Sequence, residues 1–200
     1  MRGNFGDKLL TLSKDNHHQT IGSLIDSFED KSFAALFIIL LALPALPVPT
    51  GGITHIFEII AMLLALELIA GRRAIWLPNK WLNHKLPEKF RTKTLPVIYH
   101  WYQKIERLSK PRLSKQLGSS LFSRLIGVTV LVLTLAAFLA PPFSGLDTLP
   151  ALGIVILSIG VILDDLLLAV LGFIVGTSGI VLILTLGKLV LNFLIIYVKL

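Results

Sequence analysis

Residues 33–70, FAALFIILLALPALPVPTGGITHIFEIIAMLLALELIA, hold an apolar arm, a break rich in proline and glycine, and a second apolar arm. The first arm meets Pro44, Pro47 and Pro49, none of which can donate a backbone hydrogen bond, so a regular helix is expected to end or kink there. About eleven residues precede Pro44, roughly 16 Å of helix, whereas a hydrocarbon core is about 30 Å thick. The arm therefore either continues through a kink to Val48 or forms half of a re-entrant hairpin. Thr50, Gly51 and Gly52 make the turn, and 53–70 is expected to return as a helix ended by Gly71 and the pair Arg72, Arg73.

The rest of the chain fits the solvent that this stretch implies. Of 200 residues 54% are hydrophobic and 16% charged, with mean hydropathy +0.78. Soluble domains hold about 45–50% apolar and about 25% charged residues. The apolar residues concentrate near 33–71 and 122–200, in stretches long enough to cross lipid. The expected class is an all-α, polytopic integral membrane protein. There is no cysteine, which excludes disulfides and thiolate metal ligation. Residues 1–32 form a polar segment with four Lys/Arg and five Asp/Glu, too acidic and too long before Phe33 for a cleavable signal peptide, so the first hairpin is expected to direct insertion. Within it Ile21, Leu24, Ile25 and Phe28 recur at helical spacing after Thr20, the pattern of a short amphipathic lead-in helix.

Between Arg72 and Arg124 stand thirteen Lys/Arg against Glu88 and Glu106, a net of +11 in a chain whose total is +7. Short loops rich in Lys/Arg stay cytoplasmic, so the linker 72–121 is placed on the inner face, drawn to anionic headgroups. In it Ile98, Trp101, Tyr102, Ile105 and Leu108 recur at helical spacing after Thr94 and Pro96, the mark of a basic amphipathic helix lying in the interface. A basic, aromatic stripe also suits nucleic acid, but no nucleic-acid motif accompanies it and the flanking spans hold it beside lipid.

A shift of 93 residues superposes Pro49 on Pro142, Gly52 on Gly145 and 53–70 on 146–163, so hairpin 33–71 is matched by hairpin 122–164, broken at Pro141, Pro142 and Gly145. Either the two form a pseudo-repeat, as in transporters whose paired breaks mark a midplane site, or they share turn chemistry alone. With the linker inside, the repeat would be parallel. Asp164 and Asp165 would return to the cytoplasm and mark a span end rather than hold Mg²⁺. The C-terminal segment 165–200 is too long for one crossing, and a break is expected at 176–179 or at Gly187 and Lys188, giving a span near 166–186 and five or six crossings in all. Gly172 and Gly176 form a G-x-x-x-G pair that permits close helix approach.

The residues that can carry chemistry are His55, Glu58 and Glu67, inside an apolar arm. An ionised residue at a helix centre costs about 2.5–3.5 kcal/mol, while the ten Leu, Ile and Phe residues of 53–70 return roughly 3–6 kcal/mol. Two anions nearly cancel that gain unless they are protonated, paired or lining water. His55 and Glu58, three apart, share a face; Glu67 lies on the opposite side. His55 and Glu58 either face a polar cavity as a proton or ion site or sit near headgroups at the helix N-terminus. Glu67 is expected to reach the cytoplasmic interface or pair with Arg72 or Arg73. Asp147 reads as the N-cap of the second returning helix, and Lys188 as a snorkelling cation. G-x-S-x-G, P-loop, G-x-G-x-x-G and H-E-x-x-H motifs are all missing, and the five histidines lack metal-ligand spacing, so neither an enzyme nor a metal or cofactor site is expected.

The run TIGSLIDSFEDKSFAALFIILLALPALPVPTGG from Thr20, LIAGRRAIWLP at 68–78, ERLSKPRL at 106–113 and DTLPALGIVILSIG at 147–160 together resemble the bacterial exopolysaccharide synthesis ExoD family over nearly the whole chain. The features that carry the likeness are the Ala42-Leu43-Pro44 break, Gly71-Arg72-Arg73 followed by Trp76-Leu77-Pro78, and Arg107, Leu108, Pro111, Arg112 and Leu113 in the basic stretch. The resemblance implies a protein of the bacterial inner membrane associated with exopolysaccharide production and with alkaline tolerance, and it implies no catalytic residue. Three functions are then open: a transport or accessory component of exopolysaccharide synthesis or export, a proton or cation transporter in pH homeostasis that affects polysaccharide indirectly, and a membrane scaffold that recruits a partner through its linker. Expected partners are the bilayer, anionic headgroups, and exopolysaccharide-biosynthesis proteins or a second copy of the chain.

Overall fold

The computed structural model describes residues 20, 22, 31–46, 53–72, 75–76, 83, 95–108, 119–141 and 144–198. Among these the chain is helical, with α1 (Ser32–Leu41), α2 (Ile53–Ile69), α3 (Leu95–Leu108), α4 (Ser120–Leu139), α5 (Thr148–Ile162) and α6 (Leu166–Val198). Pro47, Pro49, Gly51, Gly52, Arg73, Pro78, Pro111, Arg112, Pro142 and the lead-in pattern at 21–28 lie outside the described residues.

Helix α1 is apolar all round, and a helix of that kind has no face to give to water. Accordingly Phe33, Ala35, Leu36, Phe37, Ile38 and Leu41 are all buried. It stops at Leu41, three residues before Pro44, and hydrogen-bonded turns carry the backbone to Leu46, with Ala45 N–H donating to the Leu41 carbonyl at 2.9 Å. The arm therefore ends at the prolines instead of kinking through them. At ten residues α1 is about 15 Å long, half a hydrocarbon core.

Helix α5 packs beside α1 in the centre, and α2, α4 and α6 surround them. The pairs α1–α2, α4–α5, α1–α5 and α2–α4 all pack, a set of neighbours that is unchanged when α1 is exchanged for α4 and α2 for α5. Three contacts give the directions. His55 at the start of α2 meets Phe138 at the end of α4. A Cβ on Gly127, near the start of α4, would stand 3.0 Å from the Ala65 carbonyl oxygen and 2.9 Å from Ile69 Cγ1 near the end of α2. Lys31, just before α1, donates to the Ile162 carbonyl at the end of α5 at 2.7 Å. Both neighbouring pairs across the halves, α2–α4 and α1–α5, are thus antiparallel.

The ends of α2 and α5 are built alike at positions 93 apart. At α2, Arg72 N–H bonds the Glu67 carbonyl and Gly71 N–H the Leu68 carbonyl; at α5, Asp165 N–H bonds the Gly160 carbonyl and Asp164 N–H the Val161 carbonyl. Both are Schellman caps, which need a left-handed residue at the turn. Gly71 supplies it with φ 82° at no steric cost, and Asp164 with φ 54°. The Asp164 carboxylate is held by Lys31 at 2.9 Å. Asp165 then opens α6, accepting from Leu167 N–H at 3.1 Å. The acidic pair is a helix-to-helix turn, and no metal-holding group of His, Cys, Asp or Glu occurs among the described residues.

The expected break in the C-terminal segment is corrected by the structure. Residues 166–198 form one helix, about 50 Å long. Thr177 Oγ1 bonds the Phe173 and Ile174 carbonyls and Ser178 Oγ the Val175 carbonyl, so both hydroxyls are satisfied inside the helix. A glycine in a helix interior costs only about 1 kcal/mol against alanine, and here Gly172, Gly176 and Gly179 are used in packing. A Cβ on Gly153 would collide with the Gly176 backbone, and one on Gly172 with Leu157 N. The G-x-x-x-G pair lets α5 and α6 touch backbone to backbone.

Helices α4 and α6, over Ser120–Leu139 and Leu166–Leu189, are long and apolar enough to cross a membrane. Only 28% and 22% of their most apolar windows are buried within the chain. Leu121, Leu125, Val128, Val132, Leu135 and Leu139 on α4 are all exposed, which a soluble protein's core helix would not show. Helix α3 forms over the residues whose amphipathic pattern marked it, and its apolar side partly faces protein: Tyr102 is 2% exposed and α3 packs on α1.

Candidate functional site

Just past the first break, the helical spacing of α2 stacks His55 one turn before Glu58, and their side chains meet, Nδ1 to Oε2, at 2.7 Å. Glu58 is fully buried, whereas the His55 side chain is 29% exposed, so the imidazole lies between the carboxyl group and the outside. Phe138 from α4 holds the ring from one side, edge to face, with centroids 5.2 Å apart. The other carboxyl oxygen, Glu58 Oε1, is buried without a hydrogen-bond partner among the described residues. A buried polar atom left unpaired costs about 1–3 kcal/mol, more when charged.

The second break lies at the same end of the bundle. Helix α4 stops at Leu139, Ala140 turns extended ahead of Pro141, and Ser144 Oγ bonds the Pro141 carbonyl at 2.6 Å. Gly145 follows with φ 68°, and α5 begins. Asp147 occupies the N-cap position of α5, but its side chain makes no capping hydrogen bond, which corrects the cap assignment. Its carboxylate instead lies within electrostatic range of Glu58. The start of α2 and the start of α5 thus bring two acids and an imidazole into one neighbourhood, and every one of these groups lies within a few residues of a break.

Glu67 is not part of this neighbourhood. It lies nine residues further along α2, and Oε2 accepts from the Trp76 backbone N–H at 2.9 Å. Arg72 does not pair with it; its guanidinium stands 5.8 Å from the centroid of the Trp76 ring. Arg107 is exposed at the end of α3. The sequence reading missed Phe138, one of many apolar residues on α4, and Arg124, which comes within 3.2 Å of the Cβ position of Gly71. A signal for Arg124 existed, since it is a lone cation in an apolar helix. Nothing local marked Phe138.

Comparison with known proteins adds a family. The model described as exopolysaccharide synthesis, ExoD, matches residues 7–185. An uncharacterized protein of Synechocystis is 29% identical over 170 residues, spanning 85% of this chain and 75% of its own. Protein ExoD of Rhizobium meliloti is 29% identical over 165 residues, spanning 80% of this chain and 67% of its own. No solved structure matches the chain.

Proposed function

Because the chain belongs to the exopolysaccharide synthesis ExoD family, we propose that it is a multi-pass protein of the bacterial inner membrane that serves exopolysaccharide synthesis or export as a transport or accessory component, without catalysing a reaction itself. The open apolar faces of α4 and α6 support lipid as the solvent. Lys31, Arg72 and Arg124 at one end of the bundle, together with the basic composition of 72–121, support that end as cytoplasmic. The like caps at Gly71 and Asp164, with the exchangeable set of helix neighbours, support a parallel pseudo-repeat of two hairpins.

The observation that carries the mechanism is the buried His55–Glu58 pair with one carboxyl oxygen open. Glu58 lies eleven residues before Ile69, about 16 Å from the basic end of α2, which is mid-depth in a core of about 30 Å. On this reading the two breaks frame a small polar pocket at that depth. His55, partly exposed, passes a proton to and from Glu58. An intramembrane ionisable residue is retained against its insertion cost when it moves an ion or proton.

The same pair favours the second reading, a proton or cation transporter whose loss reduces polysaccharide only indirectly. The two are separated by purified protein in liposomes carrying a pH-sensitive dye, together with polysaccharide measured in cells. Glu58→Gln keeps the shape and the hydrogen bond to His55 but removes the charge. Loss of polysaccharide with normal insertion and no ion flux in wild-type liposomes supports the accessory role; flux that requires Glu58 supports transport. A Glu58→Gln strain with normal polysaccharide and a normal pH response removes the pocket from the mechanism.

A further inference from the structure

At the opposite end of α2 from the His55–Glu58 pair, Gly71 closes the helix and Arg124 of α4 lays its guanidinium over it, Nη2 standing 3.2 Å from where a glycine Cβ would be. The next residue, Arg72, turns its own guanidinium to the Trp76 ring. Both arginines are exposed, neither is in an ion pair with a carboxylate among the described residues, and the nearby Glu67 spends Oε2 on Trp76 N–H, so the guanidinium donors are open to a further anion. The surroundings are also unusual for a solvated charge pair: Leu121 is 69% exposed, Trp76 63% and Leu125 56%. Arg124 stands in the second turn of α4, whose N-cap is Ser119, so the positive end of α4 is on this side of the bundle.

We propose that Arg72 and Arg124, with the backbone at Gly71 between them, clamp the phosphate of an anionic phospholipid of the inner leaflet. A guanidinium is planar and presents paired donors that match phosphate oxygens. Basic pockets between membrane helices on the cytoplasmic side bind such headgroups. The exposed Leu121 and Leu125 lie along the path an acyl chain follows from the headgroup into the bilayer, and the indole of Trp76 suits the headgroup level. Gly71 is required twice, for its left-handed φ and for the space that Arg124 fills. That double requirement accounts for glycine, arginine and tryptophan standing so close together in the chain.

The test is native mass spectrometry of the full chain in detergent, titrated with phosphatidylglycerol, with phosphatidylcholine and with inorganic phosphate. The wild type is expected to hold phosphatidylglycerol at least tenfold more tightly than phosphatidylcholine, and millimolar inorganic phosphate is expected not to displace it. Arg72→Gln with Arg124→Gln should lower phosphatidylglycerol affinity about thirtyfold, the effect of two surface cations worth about fivefold each, and leave phosphatidylcholine unchanged. Lys188→Gln, which removes a cation some 33 Å along α6 from its start, should leave all three arms unchanged. Where the double variant does not fold, Arg72→Gln alone should weaken phosphatidylglycerol about fivefold. Wild-type affinity in the arginine variants, an equal loss in Lys188→Gln, or displacement of the lipid by inorganic phosphate would each overturn the proposal.

Discussion

Glu58 and Glu67 lie nine residues apart on α2, about 13 Å along its axis. Both are glutamates in an apolar helix, yet the fold treats them in opposite ways. Glu58 is buried with one oxygen on an imidazole and the other open. Glu67 is half-buried at the helix end, where a backbone N–H that has left the helix comes back to meet it. A carboxylate whose donor comes from the main chain completes a cap. One whose donor is a titratable ring, and whose second oxygen is unfilled, can exchange its proton. The type of residue does not separate the two roles; the partner does.

That contrast can be broken most directly by function. Glu58→Gln should reduce polysaccharide in cells to the level of a deletion strain, while Glu67→Gln, which still offers an oxygen to Trp76 N–H, should leave it near wild type. Equal loss in both would erase the distinction. The next largest effect is on stability. His55→Ala removes the only described partner of a buried carboxyl group and should cost about 1–3 kcal/mol, read by unfolding in detergent; Glu58→Met in the same background should recover most of that loss, because no unpaired group is then buried.

Two smaller effects sharpen the comparison at the cap end. Gly71→Ala forces a Cβ into the left-handed region and against Arg124, and should lower stability by about 1–2 kcal/mol. Asp164→Gly, at the matching position of α5, removes such strain and loses a half-exposed ion pair worth about 0–1 kcal/mol, so the unfolding midpoint should scarcely move. If both variants behaved alike, the two caps would share geometry but not energetics.

Much of this was readable before any coordinates. The prolines after Leu43 end α1 because a ring without N–H cannot continue the ladder, whatever surrounds it. The three-residue spacing of His55 and Glu58, and the opposite facing of Glu67, follow from helical geometry alone and hold in the structure. The reading failed where a residue had two uses. Gly176 and Gly179 look like breakers, but a helix keeps its glycines when a neighbour fills the space, as Leu133 of α4 does at Gly176 and Leu149 and Pro150 of α5 do at Gly179. Asp147 looks like a cap by position, yet its side chain does not cap α5.

Periodicity and breakers suffice for helices α1 to α5, though not for the unbroken length of α6, because these depend on backbone chemistry and on transfer between water and an apolar phase, both of which act within a short window. The packing of Phe138 on His55, of Arg124 on Gly71 and of α6 on α5 joins residues far apart in the chain. Those contacts depend on how the helices share space, and only their three-dimensional arrangement shows which of two similar acids is left with an unfilled oxygen.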